Sequence, residues 1–253
     1  MELTDGLCRI LDWDSDFFGC RIAQITVNRL NSENMERVMM WCRNHAIQCL
    51  YFLADTDDVE TTRLAEDTGF HLVDIRVTLE KILDDIPIIR KEPSHGVVRL
   101  CKPEDVPALR AIARTSYHDS RFYYDPNFPK HLCDSLYATW IEKSCEGYAD
   151  AVLVAELEGQ PVGYVSCHLL GQREGKIGLV GVSTHSRGKG LGERLMSRSL
   201  TWFLRQDVKH VMIVTQGRNC MAQRLYQQLG FLTKSVQLWY HRWFKPMGGM
   251  VSE

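Results

Sequence analysis

The chain has no apolar run approaching the roughly 20 residues that a bilayer-spanning helix needs. It also has no surplus of either charge: 30 Lys+Arg stand against 32 Asp+Glu, a formal net charge of −2. The first absence argues against a helical membrane span, and the second removes the basic field that nucleic-acid binding draws on. Neither a membrane nor a nucleic acid is an expected partner. Met1-Glu2-Leu3-Thr4-Asp5 lacks the basic and apolar regions of a signal peptide. None of the nine cysteines forms a Cys-x-x-Cys pair, and their number is odd. Reduced thiols in a cytoplasmic protein are therefore expected, with no disulfide and no metal. What remains is an ordinary globular composition, 45% apolar and 25% charged, in 253 residues with room for one large or two small domains.

Alternation of apolar runs and turn residues divides the chain. Asp84 to Gly96, with Pro87, Pro93, Ser94 and Gly96, reads as a linker. Before it, Ile22–Val27, Cys49–Ala54 and Val73–Leu79 read as strands, and Asn31–His45 and Val59–Thr68 as helices. After it, Val97–Leu100, Ala151–Leu157, Pro161–Leu170, Lys176–Val182 and His210–Thr215 read as strands, and Lys102-Pro103-Glu104-Asp105 opens a helix. This order implies an α/β sheet layered with helices. An internal parallel lies at an offset of 161 residues: Tyr51-Phe52-Leu53-Ala54 through Gly69-Phe70 matches Met212-Ile213-Val214-Thr215 through Gly230-Phe231. At this offset Asp58 stands where Asn219 does, and Ala65 where Tyr226 does. The first half would thus be a degenerate copy that keeps the packing and lacks the chemistry.

The most informative segment follows the strand ending at Val182. After Ser183-Thr184-His185-Ser186 comes Arg187-Gly188-Lys189-Gly190-Leu191-Gly192, opening a helix with apolar positions Leu195, Leu200, Phe203 and Leu204. Three alternating glycines leave backbone N–H groups uncovered at a helix N-terminus, a setting for a diphosphate. The spacing is not Gly-x-Gly-x-x-Gly, and no Gly-Lys-Ser/Thr follows, so neither common nucleotide fingerprint fits. About 30 residues on, Asn219, Ala222, Leu225, Tyr226, Gly230 and Phe231 lie on a strand–helix–Gly unit, with Asn219 and Tyr226 two turns apart on one helix face. Asn219 also suits a helix N-cap.

Arg-x-x-Gly-x-Gly after a strand, followed by Asn-x-x-Ala-x-x-Leu-Tyr-x-x-x-Gly-Phe, resembles the two signatures of the GNAT superfamily of N-acyltransferases. The resemblance implies a GNAT fold, a mixed and mostly antiparallel sheet flanked by helices, over a catalytic domain at 97–247. A smaller degenerate GNAT-like α/β domain at 1–90 would precede it. It further implies acetyl-CoA as co-substrate, held by backbone groups of Val180, Gly181 and Val182, by the loop Ser186, Arg187, Gly188, Lys189, Gly190, Leu191 and Gly192, and by Asn219. Tyr226 takes the place of the general acid that protonates the leaving thiolate; an ordinary tyrosine pKa near 10 keeps its hydroxyl protonated at neutral pH. Many members carry a carboxylate base four residues ahead of Val182, where this chain has Gly178. His168 on the preceding strand is one substitute base, and a water relay is another.

Asp119-Ser120-Arg121-Phe122-Tyr123-Tyr124-Asp125-Pro126-Asn127-Phe128 combines one cation with four aromatics. Arginine suits a diphosphate, and Phe122 and Tyr124 can stack on a base or sugar; the other reading is a loop anchored by its aromatics. Trp13-Asp14-Ser15-x-Phe17-Phe18-Gly19, Ser120-Arg121-Phe122-x-x-Asp125-Pro126 and Leu225-Tyr226-Gln227-Gln228-x-Gly230-Phe231 together resemble GNAT members that acetylate nucleotide-linked amino sugars. That resemblance implies a dTDP-4-amino-4,6-dideoxyhexose type of acceptor, a role in polysaccharide biosynthesis and a homodimer. A GNAT acting on another small amine or a peptide N-terminus, or a non-catalytic acetyl-CoA-binding module, are the alternatives.

Overall fold

The computed structural model describes residues 6–83 and 96–244. The expected linker, apart from Gly96, and the chain's first five residues lie outside the described residues. The chain forms two compact units. One comprises Met1–Arg76, Arg121–Pro129 and Val236–Glu253; the other comprises Val77–Ser120 and Lys130–Ser235. These units differ from a division into 1–90 and 97–247: the first takes in the Arg121 segment and the C-terminal end, and the second begins at Val77.

The first unit holds β1 (Cys8–Ile10), α1 (Asp12–Phe18), β2 (Ile22–Ile25), α2 (Ser32–Asn44), β3 (Cys49–Asp55), α3 (Val59–Asp67) and the start of β4 (His71–Ile82). A short helix, α5 (Arg121–Tyr124), and most of β10 (Leu232–Trp243) complete it. Apolar spacing explains α2, whose Met35, Val38, Trp41 and Cys42 are buried on one face. The Asn31 side chain caps it by accepting from Asn34 N–H at 2.8 Å. β2 and β3 are parallel, joined by the α2 crossover, and β10 is antiparallel to β3 with His241 opposite Tyr51.

In the second unit β5 (Val97–Leu100), β6 (Ala151–Leu157), β7 (Gln160–Gly171) and β8 (Glu174–Val182) form an antiparallel run. The helices α4 (Val106–Ala113) and α6 (Lys130–Lys143) lie between β5 and β6 in the chain and pack together. α7 (Leu191–Arg205) then crosses over to β9 (His210–Gln216), which is parallel to β8, and α8 (Cys220–Gln228) follows. The sheet is mixed and flanked by helices, as a GNAT fold requires. Leu195, Leu200 and Phe203 of α7 are buried in its core with Val165, Ile177, Ile213 and Phe231.

The internal parallel is a structural one. The 161-residue offset carries Cys49–Asp55 onto His210–Gln216, Val59–Asp67 onto Cys220–Gln228, and His71–Ile82 onto Leu232–Trp243. The caps correspond too: Asp58 accepts from Thr61 N–H as Asn219 does from Ala222 N–H. Gly69 and Gly230 both adopt φ +81°, a left-handed helix stop that glycine tolerates without strain. In the first unit the chain leaving β2 stays tied to β3. Asn28 donates its side-chain N–H to the Leu53 carbonyl at 2.6 Å, and its own carbonyl accepts from Asp55 N–H at 3.1 Å.

Asn28→Ala removes that side-chain tie and leaves the Leu53 carbonyl unsatisfied, so urea denaturation is expected to show a loss of about 1–3 kcal/mol. A change below about 0.5 kcal/mol, the ordinary range of a surface substitution, would mean the tie contributes nothing.

Candidate active site

The parallel ladder between β8 and β9 runs only from Glu174–His210 to Ile177–Ile213. β8 continues along β7 to Val182, opposite Gly163, while β9 continues to Gln216. The two strands therefore part after Ile177. The cause is a slip on the other side of β8. Val165 faces Val180 and Cys167 faces Ile177, so Gly178 and Leu179 together oppose Ser166. Such a bulge bends its strand. The freed N–H of Leu179 donates to Ser166 Oγ at 2.8 Å. Between the parted strands, backbone groups of Gly178–Val182 on the β9 side have no ladder partner, which suits an extended amide-bearing arm such as pantetheine.

At the end of β8, Ser183 N–H donates to the Val162 carbonyl, and a 3₁₀ turn at Thr184–Ser186 leads into the glycine loop. Gly188 and Gly190 take φ +76° and +74°, with nothing within 4 Å of a hypothetical Cβ, so the left-handed backbone rather than crowding calls for glycine there. Gly190 is the N-cap of α7 and offers no side-chain cap, which leaves the first N–H groups of the helix open to an anion. Arg187, Gly188, Lys189 and Gly190 are exposed; Ser186 and Leu191 are buried and anchor the loop's two ends.

His168 follows Ser166 on the same face of β7. A Cβ on Gly178 would lie 2.6 Å from His168 Nε2 and 2.6 Å from Ser166 Oγ. The imidazole thus fills the space beside Gly178, the position at which the resemblance to GNAT enzymes raises the expectation of a carboxylate. Burial, and then Lys176, lower the His168 pKa, while the charge of Asp150 and, less, the Tyr148 backbone partly offset this. The ring is therefore neutral near pH 7. Its Nε2 lies 3.4 Å from Ser166 Oγ.

Asn219 caps α8 by accepting from Ala222 N–H at 3.1 Å. Tyr226 on that helix is 5% exposed, and burial raises its pKa, so its hydroxyl stays protonated. Two further tyrosines, which no sequence spacing marked, join this unit's polar groups. Tyr117 and Tyr164 hydroxyls meet at 2.9 Å. The Tyr164 ring covers Gly181 so closely that a Cβ there would lie 2.8 Å from its Cζ. Burial, Tyr164, Tyr137 and Tyr226 all push the Tyr117 hydroxyl toward its protonated form. Alternation of Tyr164, Ser166 and His168 along β7 was the one readable hint.

Arg121, Phe122 and Tyr124 belong to the first unit. Phe122 is 2% exposed and packs against Phe18 and Phe128, so its ring anchors α5 and its stacking role is corrected to a packing one. Tyr124 is 52% exposed.

Residues 112–231 match the acetyltransferase (GNAT) family. The chain is 28% identical over 238 residues to dTDP-fucosamine acetyltransferase of Escherichia coli O6:H1, covering 92% of this chain and 96% of that one. It is 28% identical over 142 residues to the spore coat polysaccharide biosynthesis protein SpsD of Bacillus subtilis, covering 56% and 49%. Among solved structures it resembles a GCN5-related N-acetyltransferase from Sphaerobacter thermophilus, with a TM-score of 0.67, 18% identity, and coverage of 93% and 76%.

Gly190→Asp places a carboxylate, and a strained φ, at the open helix end. Calorimetry is expected to show loss of acetyl-CoA binding with the circular dichroism spectrum retained; undiminished affinity would refute the loop's role.

Proposed function

We propose, for a chain that carries a GNAT acetyltransferase domain and is an acetyl-CoA-dependent acyltransferase, that its acceptor is the amine of a nucleotide-linked amino sugar of the dTDP-4-amino-4,6-dideoxyhexose type. The observation that carries the acetyl-transfer part is the parting of β8 from β9 beside the glycine loop. The acceptor class is supported by the relative named for acetylating dTDP-fucosamine, which aligns over nearly the whole chain, and by the relative named for spore coat polysaccharide synthesis. A place in polysaccharide biosynthesis follows from the same names.

Acetyl-CoA brings an acetyl group already activated as a thioester. The chain's part is to bind, orient and move protons. N–H groups of Ser186–Gly192 hold the diphosphate, and the free backbone edge of Gly178–Val182 with Asn219 holds the arm. His168, whose lowered pKa keeps the ring neutral, takes the proton of the attacking amine, directly or through water. Tyr226 gives its proton to the departing sulfur. Its hydroxyl has no hydrogen-bond partner among the described residues, so no competing acceptor holds that proton. Arg121 and Tyr124 are the proposed contacts for the nucleotide part.

Acetyl-CoA turnover against amino-sugar nucleotides, free amino acids and short peptides tests the acceptor; turnover confined to the last two would overturn it. Tyr226→Phe is expected to lower kcat by about 10²–10⁴-fold with acetyl-CoA affinity kept, and a fall of less than about threefold would make Tyr226 a packing residue. For the base, the sign follows from the lowered His168 pKa. Activity should fall with acid as the ring takes a proton, with the limb of kcat/KM centred below 6.5. His168→Gln should abolish that limb; a limb that persists would assign the base elsewhere.

A further inference from the structure

The first unit carries a polar group that the acetyl-transfer chemistry leaves unused. Three neighbouring strands contribute to it: β3 with Tyr51, β10 with Trp239 and His241, and β4 with Arg76. α5 lays Arg121 over them. The guanidinium carbon stands 4.1 Å from the Tyr51 ring centre, 4.2 Å from that of Trp239 and 4.5 Å from that of Phe122. Arg121 Nη1 donates to His241 Nε2 at 2.7 Å.

That last bond fixes the protons. His241 Nε2 accepts, so Nδ1 bears the hydrogen and donates to Asp125 Oδ2 at 2.7 Å, beside Trp243 Nε1–H at 2.8 Å. Burial pushes the His241 pKa down to about 4, so the ring is neutral. Burial alone would raise the Asp125 pKa, yet the bonds from His241 and Trp243 bring it to about 2. Asp125 is therefore ionised and committed, and it reaches Arg121 only through a neutral ring.

The two arginines have no such commitment. Neither Arg121 nor Arg76 forms an ion pair among the described residues. Burial, followed by the like charge of Arg121, disfavours the charged form of Arg76. Its Nε is buried with no hydrogen-bond partner, and so is the Tyr51 hydroxyl. Two acids stand nearby. Asp74, two residues along β4, gives an oxygen to Ile75 N–H at 2.8 Å. Asp14 on α1 acts on Arg121, but burial raises its pKa and so works against its charge.

The open hydrogen-bonding positions of this group are thus donors: Arg76 Nε–H, the remaining N–H groups of Arg121 and the Tyr51 O–H. A buried donor without an acceptor is destabilising, and two neighbouring guanidinium groups repel. Both faults are relieved by one multivalent oxyanion, for which the planar guanidinium fork is well shaped. β3 and β4 lie two strand spacings apart in the sheet order, about 10 Å, so an anion shared by donors on both strands is better served by a diphosphate, with oxygens at both ends, than by a single phosphate.

We infer that Arg76, Arg121 and Tyr51 form an oxyanion site in the first unit that takes a diphosphate. This deepens the assignment of Arg121 to the nucleotide part of the acceptor and rests on that reading for the source of the diphosphate. The binding itself is independent of acetyl transfer.

The test is calorimetric titration of the full chain with inorganic pyrophosphate, in the Gly190→Asp background that closes the loop at α7. Pyrophosphate is expected to bind still. Arg76→Gln should then weaken it by about 10–150-fold, the loss of one charge-assisted contact, and Tyr51→Phe by about tenfold. Tyr51→Phe should at the same time raise the Tm of the unliganded chain by a few degrees, because it removes an unsatisfied hydroxyl. Opposite signs for stability and binding cannot come from misfolding. Loss of all pyrophosphate binding with Gly190→Asp alone, or affinity unchanged by both further variants, overturns the site. dTDP binding at least tenfold tighter than pyrophosphate assigns the diphosphate to a nucleotide, and equal affinity assigns it to the free anion; either supports the site. If amino-sugar nucleotides are not acetylated while this binding holds, the acceptor reading falls and the anion site stands.

Discussion

One extra residue in β8 governs the catalytic half of the molecule. Because Gly178 and Leu179 together face Ser166, β8 bends and its ladder with β9 stops at Ile177. The same bulge fixes the chemistry around it. Leu179 N–H, freed from the ladder, fastens the Ser166 hydroxyl. The absence of a side chain at Gly178 admits the His168 imidazole. A residue with a Cβ at 178 would collide with both. The bare backbone at Gly178 and the histidine on β7 are thus two aspects of one packing arrangement.

The two halves share a strand–helix–strand unit with matched bounds, matched caps and a matched glycine stop, and differ where chemistry would sit. In the second unit the strands part and Tyr226 stands on the following helix. In the first, Asn28 bridges the equivalent place with two hydrogen bonds, and Ala65 occupies the tyrosine's position. The first unit has kept polar side chains of another kind: a guanidinium held among three aromatic rings and a histidine, with a second guanidinium beside it. Cation–π packing of this sort keeps an arginine rigid without using up its donors.

Much of this was legible along the chain. Val97–Leu100 and Ala151–Leu157 have the bounds expected of them, and α2 and α3 lie within a residue of theirs. Their apolar periodicity and Asn or Asp caps are local signals. The glycine loop was equally plain, because alternating glycines before an amphipathic helix have few other uses. α6 and β10 were not anticipated. α6 has a weakly sided pattern, and β10 mixes charged and aromatic residues without clean alternation. The Arg121 segment was expected as a loop and is a helical turn set on a buried Phe122.

The sequence by itself determined most of the elements, the glycine loop and the Asn219–Tyr226 helix face, since each depends on residues within one or two turns of one another. Tertiary structure alone decided which strands pair, where β8 gains its bulge, and that Tyr117 meets Tyr164 across 47 residues and Arg121 meets His241 across 120. Those contacts arise from sheet register and side-chain fit between segments far apart in the chain, and no periodicity in either segment encodes its partner.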